Sequence, residues 1–161
     1  MGTQPGPRVI VGVDRSIAGL AALRVAVAEA VRRGVPLLAL RAQSDFVRQD
    51  FTEIDAAFAE AFGGLPSGLA ITREVLIAPA ADALTRRVRH PGDLLVIGFS
   101  ARPWWRFWSG SVGRRCLRRA RCPVLLVPPP EMARTARWRT FALPGRDLWA
   151  RFEIETPIGR G

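Results

Sequence analysis

The sequence predicts an α/β protein whose parallel sheet is wound on both faces. Three observations carry this expectation. Five short apolar runs, at 8–14, 35–42, 69–77, 93–99 and 123–129, alternate with four segments of helical character. Most of these runs are continuously apolar, as expected of strands covered on both faces. Helix caps and proline stops fall between the runs, which fits right-handed strand–helix–strand crossovers.

The elements follow in order. "RVIVGVD" (8–14) is the first strand. Ser16 is placed to cap "IAGLAALRVAVAEAVRRG", and Gly34 supplies its stop. "VPLLALRA" (35–42) is the second strand. "RQDFTEIDAAFAEAFGG" places Phe51, Ile54, Phe58 and Phe62 at helical spacing and ends on a glycine pair. "LAITREVLI" (69–77) alternates and is the third strand. Pro79 sits at a helix start, followed by "AADALTRRVRH". His90 is expected at that helix's C-terminal end, before Pro91. "DLLVIGF" (93–99) is the fourth strand. "SVGRRCLRRA" (111–120) is a helix with Val112, Cys116, Leu117 and Ala120 as its apolar stripe and arginines on the other face. "PVLLVPP" (123–129) is the fifth strand, stopped by Pro128 to Pro130. Residues 1–7 are expected to be a disordered tail, 8–130 one α/β domain, and 131–161 a C-terminal extension. In the extension, "RWRTFAL-PGRD-LWARFEIET" gives two strands around a Pro-Gly turn, with a short helix over 146–152 as the alternative.

Composition excludes several chemistries. The chain of 161 residues contains no lysine, so all 24 basic residues are arginine. A Walker-type loop needs a lysine on the phosphates, and Schiff-base chemistry needs one too. Phospho-receiver domains share this layout but also use a lysine, and they are excluded with the rest. One histidine cannot build a two-histidine metal site. Two cysteines, Cys116 and Cys122, make no disulfide framework and are expected as small buried apolar groups. No apolar run is long enough to span a bilayer, and the N-terminus lacks the pattern of a signal peptide, so a cytoplasmic protein is expected.

Charge is uneven. Net charge is +10, and between Asp93 and Glu131 there are arginines but no acidic residue. Two readings are open for this stretch: a solvated helix face, or a contact with phosphate, nucleic acid or lipid. Trp104, Trp105, Phe107 and Trp108 lie in the same stretch. They either pack back on the body, form a Trp/Arg interfacial patch, or stack on bases. No recognised nucleic-acid motif is present.

In a doubly wound sheet the ligand crevice lies beyond the strand carboxyl ends, where the winding reverses. "GVDRS" after the first strand and "GFSA" after the fourth carry suitable residues, and meet if those strands are neighbours. With "VIVGVDRS", "DLLVIG" and "GSVGRRCLRRARCPVLLVP", residues 8–128 resemble the universal stress protein family. The resemblance implies a five-stranded sheet ordered 3-2-1-4-5, a homodimer and, in one branch, ATP or a related adenine nucleotide bound where the first and fourth strands end. The family motif is Gly, two residues, Gly, nine residues, then Gly-Ser or Gly-Thr. Gly98 matches its first glycine, and Gly110 and Ser111 match its last pair. Ala101 replaces the second glycine, the following loop is one residue short, and Gly113 stands where a hydroxyl residue is usual. Asp14 stands where the family's aspartate lies by base and ribose, and Ala42 where a backbone group meets the base. The implied cofactor-binding set is Val13, Asp14, Ser16, Ala42, Ile97, Gly98, Ala101, Arg102, Gly110, Ser111, Val112 and Gly113.

The function expected is a universal-stress-type regulatory or protective module with a degenerate nucleotide site. No catalytic constellation is visible, so no enzyme is expected. The alternative is an interaction module without nucleotide, holding a protein partner or an anionic surface through Arg102–Arg121.

Overall fold

The structure is a computed structural model that describes residues 6–43, 50–99 and 112–130. Five strands, β1 (Val9–Gly12), β2 (Leu37–Gln43), β3 (Ile71–Ile77), β4 (Leu94–Gly98) and β5 (Val124–Val127), alternate with four helices. The helices are α1 (Ile17–Arg33), α2 (Thr52–Phe62), α3 (Ala80–Arg87) and α4 (Val112–Arg119). The strands form one parallel sheet, as the sequence pattern predicts, in the order β3-β2-β1-β4-β5 that the family resemblance implies.

Strand residues alternate between two cores, because successive side chains point to opposite faces. Val9, Val11, Leu37, Ala39, Leu94 and Val96 pack beneath α1 and α2, with Leu23, Ala26, Ile54 and Phe58. Ile10, Leu38, Leu40, Leu95 and Ile97 pack beneath α3 and α4, with Leu84 and Cys116. Burying a Val, Ile or Leu side chain fully contributes about 1.5–3 kcal/mol. The central strands β1 and β4, buried on both faces, therefore hold the layers together.

Helix starts and stops follow local chemistry. Ser16 caps α1, its Oγ accepting from the Gly19 amide at 3.0 Å, and Gly34 ends the helix at φ 63°. α2 begins later than its spacing suggests. Asp50 accepts from the Thr52 amide at 2.8 Å and fixes the start there. Ile54 and Phe58 are fully buried, but Phe51 and Phe62 lie at the helix ends and remain partly exposed. Arg73 stands over the Phe51 ring at 5.1 Å, which shields that edge.

The third helix departs from expectation. It starts at Ala80 with Pro79 as its cap, as expected, but stops at Arg87 rather than His90. The reason lies in Asp93, which is 1% exposed. Its carboxylate accepts from the amides of Arg89 (2.9 Å) and His90 (3.0 Å) on one oxygen and of Arg8 (3.0 Å) on the other. Two amides that would otherwise continue the helix are turned toward this carboxylate. His90 is thus a loop residue whose Nδ1 accepts from the Gly92 amide at 2.9 Å. Asp93 ties the start of β1 to the exit of α3 and the start of β4.

The stripe of α4 also differs. Gly113, Cys116 and Ala120 are buried, Leu117 is half-buried, and Val112 is exposed. The N-terminal residues 1–5 and the extension from 131, with its hairpin reading, lie outside the described residues, as does the tryptophan-containing segment.

The Asp93 lock makes a prediction. Asp93→Ala leaves three part-buried backbone donors without their acceptor, each costing up to about 1–3 kcal/mol where water cannot reach it. A loss of several kcal/mol is expected in urea denaturation. A change below about 1 kcal/mol would show that water replaces the carboxylate.

Candidate functional site

β1 and β4 are paired neighbours, with Val9 opposite Leu94 and Val11 opposite Val96. From β1 the chain passes to α1 on one face of the sheet, and from β4 to α4 on the other. The winding therefore reverses between them, and a crevice is expected beyond their carboxyl ends.

The β1 side is built by the four residues Val13 to Ser16. Val13 is buried, and its amide donates to the Leu40 carbonyl at 2.8 Å. Asp14 and Ser16 are exposed. Asp14 Oδ1 accepts from the Ser16 amide at 2.8 Å, so the carboxylate braces the cap of α1. This is the capping role that Asp14's position allows. It leaves the carboxylate exposed at the strand end, where a ligand can also reach it.

The β4 side is built by close packing. A Cβ on Gly98 would lie 2.5 Å from the carbonyl carbon and oxygen of Ala18 and 2.7 Å from the Gly19 nitrogen. A Cβ on Gly19 would lie 2.1 Å from Asp14 Oδ1 and 2.5 Å from the Asp14 carbonyl oxygen. These two glycines let the first turn of α1 sit on the end of β4 while Asp14 folds over it. Gly98 is thus required by helix–strand contact, independently of any phosphate.

The remaining residues contribute unequally. Ile97 is 5% exposed and its side chain belongs to the core, so it offers only its backbone. Val13 does likewise on the opposite face. Ala42 lies in β2 opposite Leu76, and β2 runs past the end of β1 to Gln43. Val112 and Gly113 open α4, where the first amides have no partner within the helix. Ala101, Arg102, Gly110 and Ser111 lie outside the described residues. The structure therefore brings Asp14, Ser16 and Gly98 together, with Ala42 one strand away.

Gln43 is a residue that sequence reasoning passes over. Its Oε1 is buried and has no hydrogen-bond partner, as is the Nε of Arg41 two residues earlier on the same face. The available signal is a polar residue closing an apolar strand, beside the position matched to base contact.

Among the described residues no group of His, Cys, Asp and Glu gathers as a metal site, and no helix is long and apolar enough to cross a membrane. Both cysteines are buried free thiols. Burial pushes the Cys116 thiol up to about 12, with Cys122 and Asp82 adding to the effect. Burial also raises Cys122 to about 11; Asp93 adds, and a hydrogen bond from the Leu95 backbone opposes.

A sequence profile of the universal stress protein family matches residues 7–128. The chain belongs to the universal stress protein family. Two curated universal stress proteins of Mycobacterium tuberculosis are each 34% identical over 132 residues, covering 74% of this chain and 44% of theirs. This chain thus spans less than half the length of those relatives. Among solved structures, a universal stress protein in complex with cAMP superposes with a TM-score of 0.59 at 23% identity, covering 75% of this chain and 95% of that one. The universal stress protein of Archaeoglobus fulgidus in complex with dAMP gives 0.54 at 21% identity, covering 76% and 98%. These likenesses show the fold.

Two predictions follow from the packing of this universal stress domain. Gly98→Ala forces backbone apart and is expected to cost about 1–3 kcal/mol or more without any nucleotide present. A thermal melt of the nucleotide-free protein checks it, and an unchanged midpoint would refute the contact. The thiols give the second. Their folded pKa values lie above the ordinary 9.0, so their contribution is complete below about pH 9 and is lost as pH rises toward 11–12. At pH 8 both thiols should react with a disulfide reagent only as fast as the protein unfolds. Rapid labelling of the folded protein would contradict this.

Proposed function

We propose that this chain is a universal-stress-type regulatory or protective module that binds ATP or a related adenine nucleotide weakly. The observation that carries this reading is the junction at the switch between β1 and β4. There Asp14 and Ser16 stand exposed beside Gly98, and α4 opens with Val112 and Gly113. An exposed carboxylate suits ribose hydroxyls or an exocyclic amine, and helix-opening amides suit a phosphate. That two relatives of the same fold were crystallised with cAMP and dAMP supports an adenine nucleotide over other anions.

The module works without catalysing a reaction. His90 sits with Asp93 at the amino end of β4, the far end of that strand from Gly98. The thiols are protonated and enclosed. A homodimer in the cytoplasm is the assembly and place this reading adopts. The second reading, an interaction module that holds a protein partner or an anionic surface without nucleotide, is favoured by the exposed arginines of α4.

Calorimetric titration with ATP and Mg²⁺, beside nucleotide analysis of the denatured protein, separates the two. Binding at micromolar to sub-millimolar ATP is expected. Asp14→Ala should weaken it about tenfold, the effect of about 1.4 kcal/mol from one lost hydrogen bond. No heat at millimolar ATP would reject the nucleotide reading.

A further inference from the structure

The two helical faces of the sheet treat their arginines differently. On the α1/α2 face arginines are matched to acceptors. Arg15 pairs with Glu60, Arg32 and Arg33 with Glu29, Arg41 with Glu53 and Arg73 with Asp55, while Arg24 reaches the Ala61 carbonyl. On the α3/α4 face the carboxylates are already engaged. Glu74 holds Arg87, Asp82 holds Arg119, and Asp93 is buried among backbone amides. Arg86, Arg89, Arg115, Arg118 and Arg121 are exposed and pair with no carboxylate among the described residues.

These charges form a row. Residues four apart share one face of a helix. Arg115 therefore stands one turn from Arg119, and Arg86 one turn from Asp82. The Arg119–Asp82 pair joins the two helices, so Arg115, Arg119 and Arg86 lie along one ridge with Arg118 beside it. A C-terminal helix dipole, equivalent to roughly half a charge, does not neutralise this set.

We propose that the α3/α4 ridge docks a nucleic-acid duplex through its phosphate backbone, without reading base sequence. Three features favour this occupant. Every cation is a guanidinium, whose planar fork matches phosphate oxygens in pairs. The cations recur at about one helical turn, roughly 5.4 Å, against a ligand that presents phosphates in a continuous line. Interfacial helices need an apolar face to insert into a bilayer. The exposed side chains of the ridge are arginines apart from Val112, which is 37% exposed one turn before Arg115, and one such side chain is too little apolar surface for insertion. The proposal does not rest on the nucleotide reading, although Arg115 follows Gly113 by only two residues in the first turn of α4.

The test is fluorescence anisotropy with a labelled 20-base-pair DNA duplex of arbitrary sequence, between 50 and 200 mM salt. Three phosphate contacts predict a dissociation constant on the order of 10 μM at low salt that weakens about 40-fold across this range. Arg86→Gln/Arg115→Gln/Arg118→Gln should abolish most of that salt dependence, with its melting midpoint unchanged. Arg24→Gln/Arg32→Gln/Arg33→Gln removes the same charge from the other face and should bind like the parent. Equal weakening of both variants would mean attraction to net charge and overturn the ridge. No binding by the parent at 50 mM salt and 200 μM protein would overturn it too. Sedimentation with phosphatidylserine vesicles, lost in the first variant while the duplex goes unbound, would assign the ridge to a membrane surface instead. Should the triple variant melt early, Arg118→Glu alone must still lower the salt slope by about one.

Discussion

The first turn of α1 rests on the end of β4 with backbone against backbone, and the carboxyl edge of the sheet is organised around that contact. Neither Gly98 nor Gly19 has room for a Cβ. Because α1 comes this close, Ser16 can cap the helix directly above β4 and Asp14 can brace Ser16 from the end of β1. A side chain at Gly98 would push against the α1 backbone, and one at Gly19 would push against Asp14. Two strand ends that are neighbours in the sheet would then lose their shared roof. The crevice is thus a by-product of helix–strand packing, and any ligand inherits a site whose shape is fixed without it.

The opposite edge is held by a different device. Asp93 gathers amides from Arg8, Arg89 and His90, so that β1 and β4 start level. Strands that start level and pair residue for residue also end near one another. Arg8 adds a second tie, its Nη2 donating to the Arg87 carbonyl at 2.7 Å. A buried carboxylate is costly unless its lone pairs are used, and here backbone amides use them. The position of Asp14 relative to Gly98 depends on both ends of these short strands.

Much of this architecture was legible in the sequence, and the failures are informative. Continuous apolar runs, the Ser16 cap and the Gly34 stop are local signals, and each element appeared where they put it. The end of α3 was not legible. "RRVRH" favours continuing a helix, and what ends it is a carboxylate six residues beyond Arg87. The stripe of α4 was misjudged because a glycine gives no hydrophobic signal. Gly113 is buried and Val112 exposed, since the helix presents its smallest side to α3. Gly98 was legible as a motif position but not as a packing position, since the contact with Ala18 is 80 residues away in sequence. Gln43 carried no signal beyond its polarity, and its unpartnered oxygen emerges only when β2 is seen to outrun β1. The matched positions Ala101, Arg102, Gly110 and Ser111 lie outside the described residues, so of the motif only its first glycine, Gly98, is described, with Val112 and Gly113 just beyond its last pair.

The composition explains the presence of arginine but not its arrangement. With 24 arginines and 14 acidic residues spread evenly, unpaired arginines would appear on both faces of the sheet. Instead Glu29, Glu53, Asp55 and Glu60 serve one face of the sheet, while the other has Glu74 and Asp82, each already holding an arginine. Helix α4 itself contains four arginines in eight residues and no acid, and it can lie close to α3 because Gly113, Cys116 and Ala120 take up little space. Its buried side is specified by small residues and its exposed side by charge alone. Surface arginines with no acceptor gain nothing for folding, since their mutual repulsion opposes the compact state. A helix of this kind is stabilised by packing and destabilised by its surface, which is the balance expected where the surface has an anionic ligand to meet.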